Sequence, residues 1–270
     1  MIQAKYGLNH YYQKGATLIV VLFLLIIITL IGTYAIKIST TSLAISTNAQ
    51  INQLLIQSAD TPLNLYRNTS DLKKLVSYST AVGAALDETE ANREFIFCYK
   101  PTVNRAFGLN ADTSVIKPKD GAAEAAELAN GSGVTGFCDI TRDFGSARQA
   151  VVTQVAVTIP KEKDDTRSPG DHLTRGTNIA TGSGLPKNLV SRQTIRVTAT
   201  AFLPSYANTS LPNVQTACLS SNGIYLSDNL NTELSSKKTL VECLNDFNIP
   251  AVTQVQEFTL GSYLEQTQAP

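Results

Sequence analysis

Apolar side chains run without a charge through residues 16–36 (ATLIVVLFLLIIITLIGTYAI), and the pattern then loosens into single apolar positions on a polar background as far as Asp60. These 21 uncharged residues are enough for a helix to cross the hydrocarbon of a bilayer, which takes about 20. Between residues 16 and 60 there is no proline and a single glycine, Gly32. The pattern therefore predicts one helix of about 45 residues, roughly 65 Å long, stopping at Asp60-Thr61-Pro62. Projected at about 100° per residue beyond the span, Leu43, Ala44, Ile51, Leu54 and Leu55 share one arc, while Ile38, Ile45, Ala49 and Ile56 form a second, narrower stripe. A helix docked on one globular head needs a single apolar face, so the second stripe predicts contact with neighbouring helices. A head thick enough to wrap both sides is the other reading of that pattern.

Past Pro62 the pattern predicts one α+β head over residues 61–270, with the long amino-terminal helix packed on an antiparallel sheet. Helical spacing covers 70–86 (SDLKKLVSYSTAVGAAL), and a short aromatic strand, EFIFCYK, follows at 94–100. The run AAEAAELAN at 122–130 reads as a short helix and GFCDITRD at 136–143 as strand-like. Alternation is stronger in two places. Val151, Val155, Val157 and Ile159 share one strand face, and Ile195, Val197, Ala199, Ala201 and Leu203 share another, which predicts an antiparallel pair. Between them, 160–186 is rich in Lys, Asp, Gly, Ser and Pro and longer than most ordered connections, so it reads as a mobile or partner-binding excursion. A helix-like piece at 235–245 and a final strand at 251–260 complete the prediction.

Charge adds a direction. Lys and Arg (22) balance Asp and Glu (22), which argues against a nucleic-acid partner. The balance is uneven along the chain, because Lys5, Lys14 and Lys37 precede the first acid, Asp60. A short leader with two lysines and no acid favours retention on the cytoplasmic side, with everything after the span exported. A secretory signal would have a shorter apolar core and a small-residue cleavage site; here the run passes through Lys37 into ISTTSLAIST with no A-x-A.

The four cysteines, Cys98, Cys138, Cys218 and Cys243, all fall on the exported side, where an even count suits disulfides. Three connectivities are open; pairing Cys98 with Cys138 and Cys218 with Cys243 closes the shortest loops. No C-x-x-C spacing and no neighbouring histidine supports zinc.

Catalytic patterns are weak. Gly131-Ser132-Gly133-Val134-Thr135-Gly136 matches G-x-G-x-x-G formally, but a dinucleotide loop needs a strand before it and a helix after it, so a turn is expected. Two histidines exist: His10 in the leader and His172 in the polar excursion. Asp164, Asp165 and Asp171 lack the spacing of an EF-hand loop and read as a solvated face. No enzyme activity, cofactor or metal is expected.

The junction Lys14-Gly15-Ala16-Thr17-Leu18-Ile19-Val20-Val21 resembles the class III signal of type IV pilins and type II secretion pseudopilins. The resemblance implies that prepilin peptidase cuts between Gly15 and Ala16 on the cytoplasmic side and that the new amino terminus is methylated. Most pilins carry Glu at the fifth mature position, where this chain has Val20. In the family that carboxylate is thought to neutralise the amino terminus of the preceding subunit, and a tip subunit has no predecessor. Its loss is typical of PilX-type minor pilins and of K-type minor pseudopilins, and the stretch 15–60, including TNAQINQLLIQSAD, looks most like the PilX type.

That resemblance implies a pilin-like α+β fold and a non-enzymatic minor pilin that helps start type IV pilus assembly and sits at or near the tip. Leu18, Val20, Leu24 and Ile28 would anchor and assemble the helix, and Ile38, Ile45, Ala49 and Ile56 would contact other subunits. The implied partners are other minor pilins, the major pilin and a PilY-type tip adhesin, with roles in twitching and adhesion. The implied location is the bacterial inner membrane, head in the periplasm, and later the pilus tip. A K-type pseudopilin and a bitopic envelope protein that never enters a filament are the alternatives.

Overall fold

The computed structural model describes residues 16–69, 72–88, 92–101, 107–119, 126–145, 148–160 and 190–263. Helix α1 (Ala16–Asn68) is continuous, and the chain divides into two compact units after Ile51. The described residues of the first unit, 16–51, are all helical. In the second, Leu55, Ala59, Leu63 and Tyr66 recur at near-helical spacing and are all buried.

The predicted stop at Asp60-Thr61-Pro62 is corrected: the helix runs on eight residues past Asp60, with Pro62 inside it. Proline removes one intrahelical hydrogen bond. Burial of Pro62, Leu63 and Tyr66 offsets that loss, and Thr61 Oγ1 meanwhile donates to the Gln57 carbonyl at 2.8 Å. Of the first predicted arc, Leu55 is buried, whereas Leu43 and Leu54 are exposed; the buried face has rotated toward Ala59 and Tyr66.

The predicted helix over 70–86 is broken into α2 (Leu72–Leu75) and α3 (Ala81–Asp87). Thr80 makes the break, since its hydroxyl donates to the Leu75 carbonyl and accepts from Gly83 N as the cap of α3. Gly83 has no room for a side chain, because a Cβ there would meet the Ser77 carbonyl oxygen at 2.0 Å.

Six strands form one antiparallel sheet: β1 (Glu94–Tyr99), β2 (Ser114–Pro118), β3 (Ala126–Leu128), β4 (Val152–Thr158), β5 (Val190–Phe202) and β6 (Ala251–Tyr263). Their spatial order is β3-β2-β1-β4-β5-β6. The expected pairing of the two alternating runs is present, with Val155 opposite Ala199 and Val157 opposite Val197. Phe95, Phe97, Val155, Val157, Ile195, Val197, Ala199 and Ala201 are buried on one face. That face carries α3 against β1 and β4, and Tyr66 of α1 meets Phe258 of β6 with ring centroids 6.0 Å apart. The opposite face, through Ile96, Ile116, Val152, Ala156 and Phe202, builds a second core with α4 (Leu211–Cys218) and α5 (Leu240–Asp246).

Three further expectations are corrected. The residues AEL of the predicted 122–130 helix form β3, because pairing with β2 overrides the helical preference of Ala, Glu and Leu; Lys117 and Glu127 sit opposite each other and form a 3.2 Å ion pair. The 136–143 run is a chain of turns, not a strand. Side chains take up its backbone amides: Ser114 Oγ accepts from Gly136, Gln154 Oε1 from Cys138 and Gln215 Oε1 from Ile140. The 235–245 prediction is shortened, since a capping box at Thr239 and Glu242 starts α5 at Leu240. The excursion at 160–186 lies almost wholly outside the described residues.

Both disulfides join sequence neighbours. Cys98 to Cys138 ties the turn segment to β1, and Cys218 to Cys243 ties α4 to α5. Closing loops of 40 and 25 residues contributes about 3–4 kcal/mol each in the chain-entropy account.

Candidate functional site

The candidate site is the amino-terminal part of α1. Straight-chain and branched apolar residues follow one another from Leu18 to Ile31, interrupted by Thr29, so the helix is apolar all round rather than on one face. Leu18 is 72% exposed within the chain, and Val20, Leu24 and Ile28 are likewise exposed. This helix is long and apolar enough to cross a membrane, and none of its most apolar stretch is buried by the rest of the chain.

Two of its threonines are satisfied within the helix. Thr29 Oγ1 donates to the Ile26 carbonyl at 2.8 Å and Thr33 Oγ1 to the Leu30 carbonyl at 2.9 Å. Such back-bonding satisfies the Thr29 and Thr33 hydroxyls without water, which suits a lipid or helix-bundle environment. Lys37 stands at the end of the apolar run, where a long stem lets its ammonium reach a membrane interface.

Beyond the span, Ile38, Ile45 and Ala49 are exposed, Ile45 at 66%. Ile56 is 38% exposed. Acidic side chains are absent from the first turn of α1; Asp60 is the first carboxylate along the helix and accepts from Asn64 Nδ2 at 2.6 Å. Gly15 lies outside the described residues, as do Lys14, His10 and His172; Ala16 opens α1, its side chain not among those described.

Gly131 to Gly136, the other sequence candidate, is a turn between β3 and the first disulfide, with Gly131 at φ 81°. Gly136 is packed against the backbone of β1 and β2, so its lack of a side chain serves the sheet. Sequence reasoning missed a cluster of ionisable residues around Glu94; those residues lie far apart in the chain and have no motif.

Residues 14–64 match the family model described as PilX N-terminal. Over this segment the chain is similar to the PilX N-terminal family. The match begins just before Gly15, takes in the whole apolar run and the Ile38–Ile56 stripe, and ends inside α1. With the six-stranded antiparallel sheet that follows the helix, the arrangement is α+β and pilin-like. PilX-type proteins are structural, non-enzymatic minor pilins of type IV pili, and an apolar amino-terminal helix fits their anchoring in a membrane. No curated protein matches this chain, and no solved structure does.

Proposed function

We propose that this chain is a minor pilin that helps initiate type IV pilus assembly and is displayed at or near the pilus tip. The observation that carries this reading is a PilX-type helix that is apolar on every side, exposed within its own chain and lacking any carboxylate before Asp60. A buried carboxylate without a cationic partner is costly, so a subunit with Val20 in that place is suited to a position with no preceding amino terminus to neutralise.

In this account, prepilin peptidase cuts between Gly15 and Ala16, the helix is stored in the inner membrane with the head in the periplasm, and it then moves into a bundle with other minor pilins and the major pilin. The head meets a PilY-type adhesin. Exchanging lipid for helix contacts yields little hydrophobic energy, so packing and shape decide partner choice. Leu18, Val20, Leu24 and Ile28 make the buried contacts, and Ile38, Ile45, Ala49 and Ile56 extend them outside the membrane.

Deleting the gene tests this directly: surface pili and twitching should fall sharply and return with a plasmid copy. Normal piliation would count against a priming role. Intact pili with lost protein secretion would assign the chain to the K-type pseudopilins, which share the missing carboxylate.

A further inference from the structure

Strand β1 opens on Glu94, whose side chain is buried at 4% exposure on the sheet face covered by the second disulfide loop. That loop runs from Cys218 to Cys243, and its Ser227 N donates to Glu94 Oε2 at 2.9 Å. The next residue, Asp228, accepts from Thr198 Oγ1 at 2.6 Å and meets Arg196 at 3.5 Å. Arg196 in turn reaches Glu257 Oε1 through Nε at 2.9 Å and Nη2 at 2.8 Å. Further along the loop, Asn231 Nδ2 donates to Asn92 Oδ1 at 3.0 Å. Leu230 is held at this spot by its amide, which donates to Asp228 Oδ1, and its side chain faces solvent.

Two carboxyl groups, Asp228 and Glu257, thus share one guanidinium, which makes its shortest contacts with Glu257. Across the sheet, Glu94 pairs with Ile116 of β2 and Thr158 of β4, neither of which is charged. The nearby cations Arg93 and Lys117 are engaged with Glu88 and Glu127. Among the described residues, then, Glu94 has a backbone donor but no cation at ion-pair distance, and a buried carboxyl in that position favours its neutral form.

We propose that the burial of Glu94 beneath the Ser227–Asp228 step acts as a proton-dependent latch: loop residues 224–231, and exposed Leu230 with them, stay on the sheet while Glu94 is neutral, and loosen when Glu94 ionises beside Asp228 away from water. Burial first, and the charge of Asp228 second, push the Glu94 pKa up to about 8, against the pull of the Ser227 hydrogen bonds and Arg196. An acid whose pKa is raised on folding contributes most below its ordinary value of 4.5, and that contribution is lost as pH climbs through about 8. The loop should therefore open in mildly alkaline surroundings.

Hydrogen exchange of the full chain in detergent micelles, corrected for intrinsic rates, tests the latch between about pH 6 and 9. Wild-type residues 224–231 should lose protection by more than about tenfold relative to β4 over that range. Glu94→Gln keeps an acceptor for Ser227 N and should hold the loop at every pH. Equal pH profiles for the two proteins, or a Gln variant already open at pH 6, would overturn the proposal. Carbon NMR titration of the wild-type Glu94 carboxyl covers a Gln variant that fails to fold: a midpoint well above the ordinary carboxylate range supports the latch, and one inside that range refutes it.

Discussion

Gly136→Ala is expected to destabilise the head by about 3 kcal/mol or more. A Cβ at this position would lie 2.1 Å from the Ile96 carbonyl oxygen and 2.3 Å from Ser114 N. Both atoms are backbone of paired strands, since Ile96 of β1 sits opposite Ser114 of β2, so neither can rotate away as a side-chain tip would. Gly136 also cannot retreat easily: its own amide donates to Ser114 Oγ at 2.8 Å, and Cys138, two residues on, is bonded to Cys98 of β1. The substitution must spread β1 from β2 or strain the disulfide-bonded turn. Gly133→Ala is the internal control, because a Cβ there has nothing within 4 Å; it should change stability by no more than about 0.5 kcal/mol. Chemical denaturation of both variants in detergent distinguishes them, and a wild-type midpoint for Gly136→Ala would show that the close packing has been misread.

Ile45→Lys combined with Ile56→Lys is expected to cut the number of assembled pili by at least about tenfold while leaving the head as stable as wild type, within about 0.5 kcal/mol. The reasoning is one of partition. Ile45 is well exposed and Ile56 partly so, whereas Leu55, Ala59, Leu63 and Tyr66 are buried. An ammonium on the uncovered stripe stays in water in the isolated subunit but must be desolvated in a packed helix bundle. Pilus counts by electron microscopy read the first effect and thermal melting the second. A clear loss of head stability would mean that the stripe is packed within the chain, and full piliation would remove it from the assembly surface.

The parts of the fold that were legible in sequence are those written in unbroken apolar patterns. The apolar rod, the strands around Phe95, Val155 and Val197, and the last strand from Ala251 follow from local spacing. The disulfide pairing follows the shortest loops. What escaped was decided by distant residues. AEL becomes β3 because Ile116 and Lys117 offer it a ladder, and the 136–143 turns hold because Gln154 and Gln215 satisfy them from elsewhere. Pro62 failed to end α1 because Leu63 and Tyr66 continue its buried face. Helix α4 went unread although Ser210 and Pro212 mark its start, and β2 is only five residues long. Of the functional surface, the membrane-length helix was plain; the Glu94 cluster was not, because β1, β5, β6 and a disulfide loop each supply one charged residue.

The most direct test of the account is the mass of the mature chain recovered from membranes and from sheared pili. A chain that begins at Ala16 and carries an added methyl group, found in both fractions, is the predicted result. A chain that begins at Met1 and stays in the membrane fraction alone would contradict it.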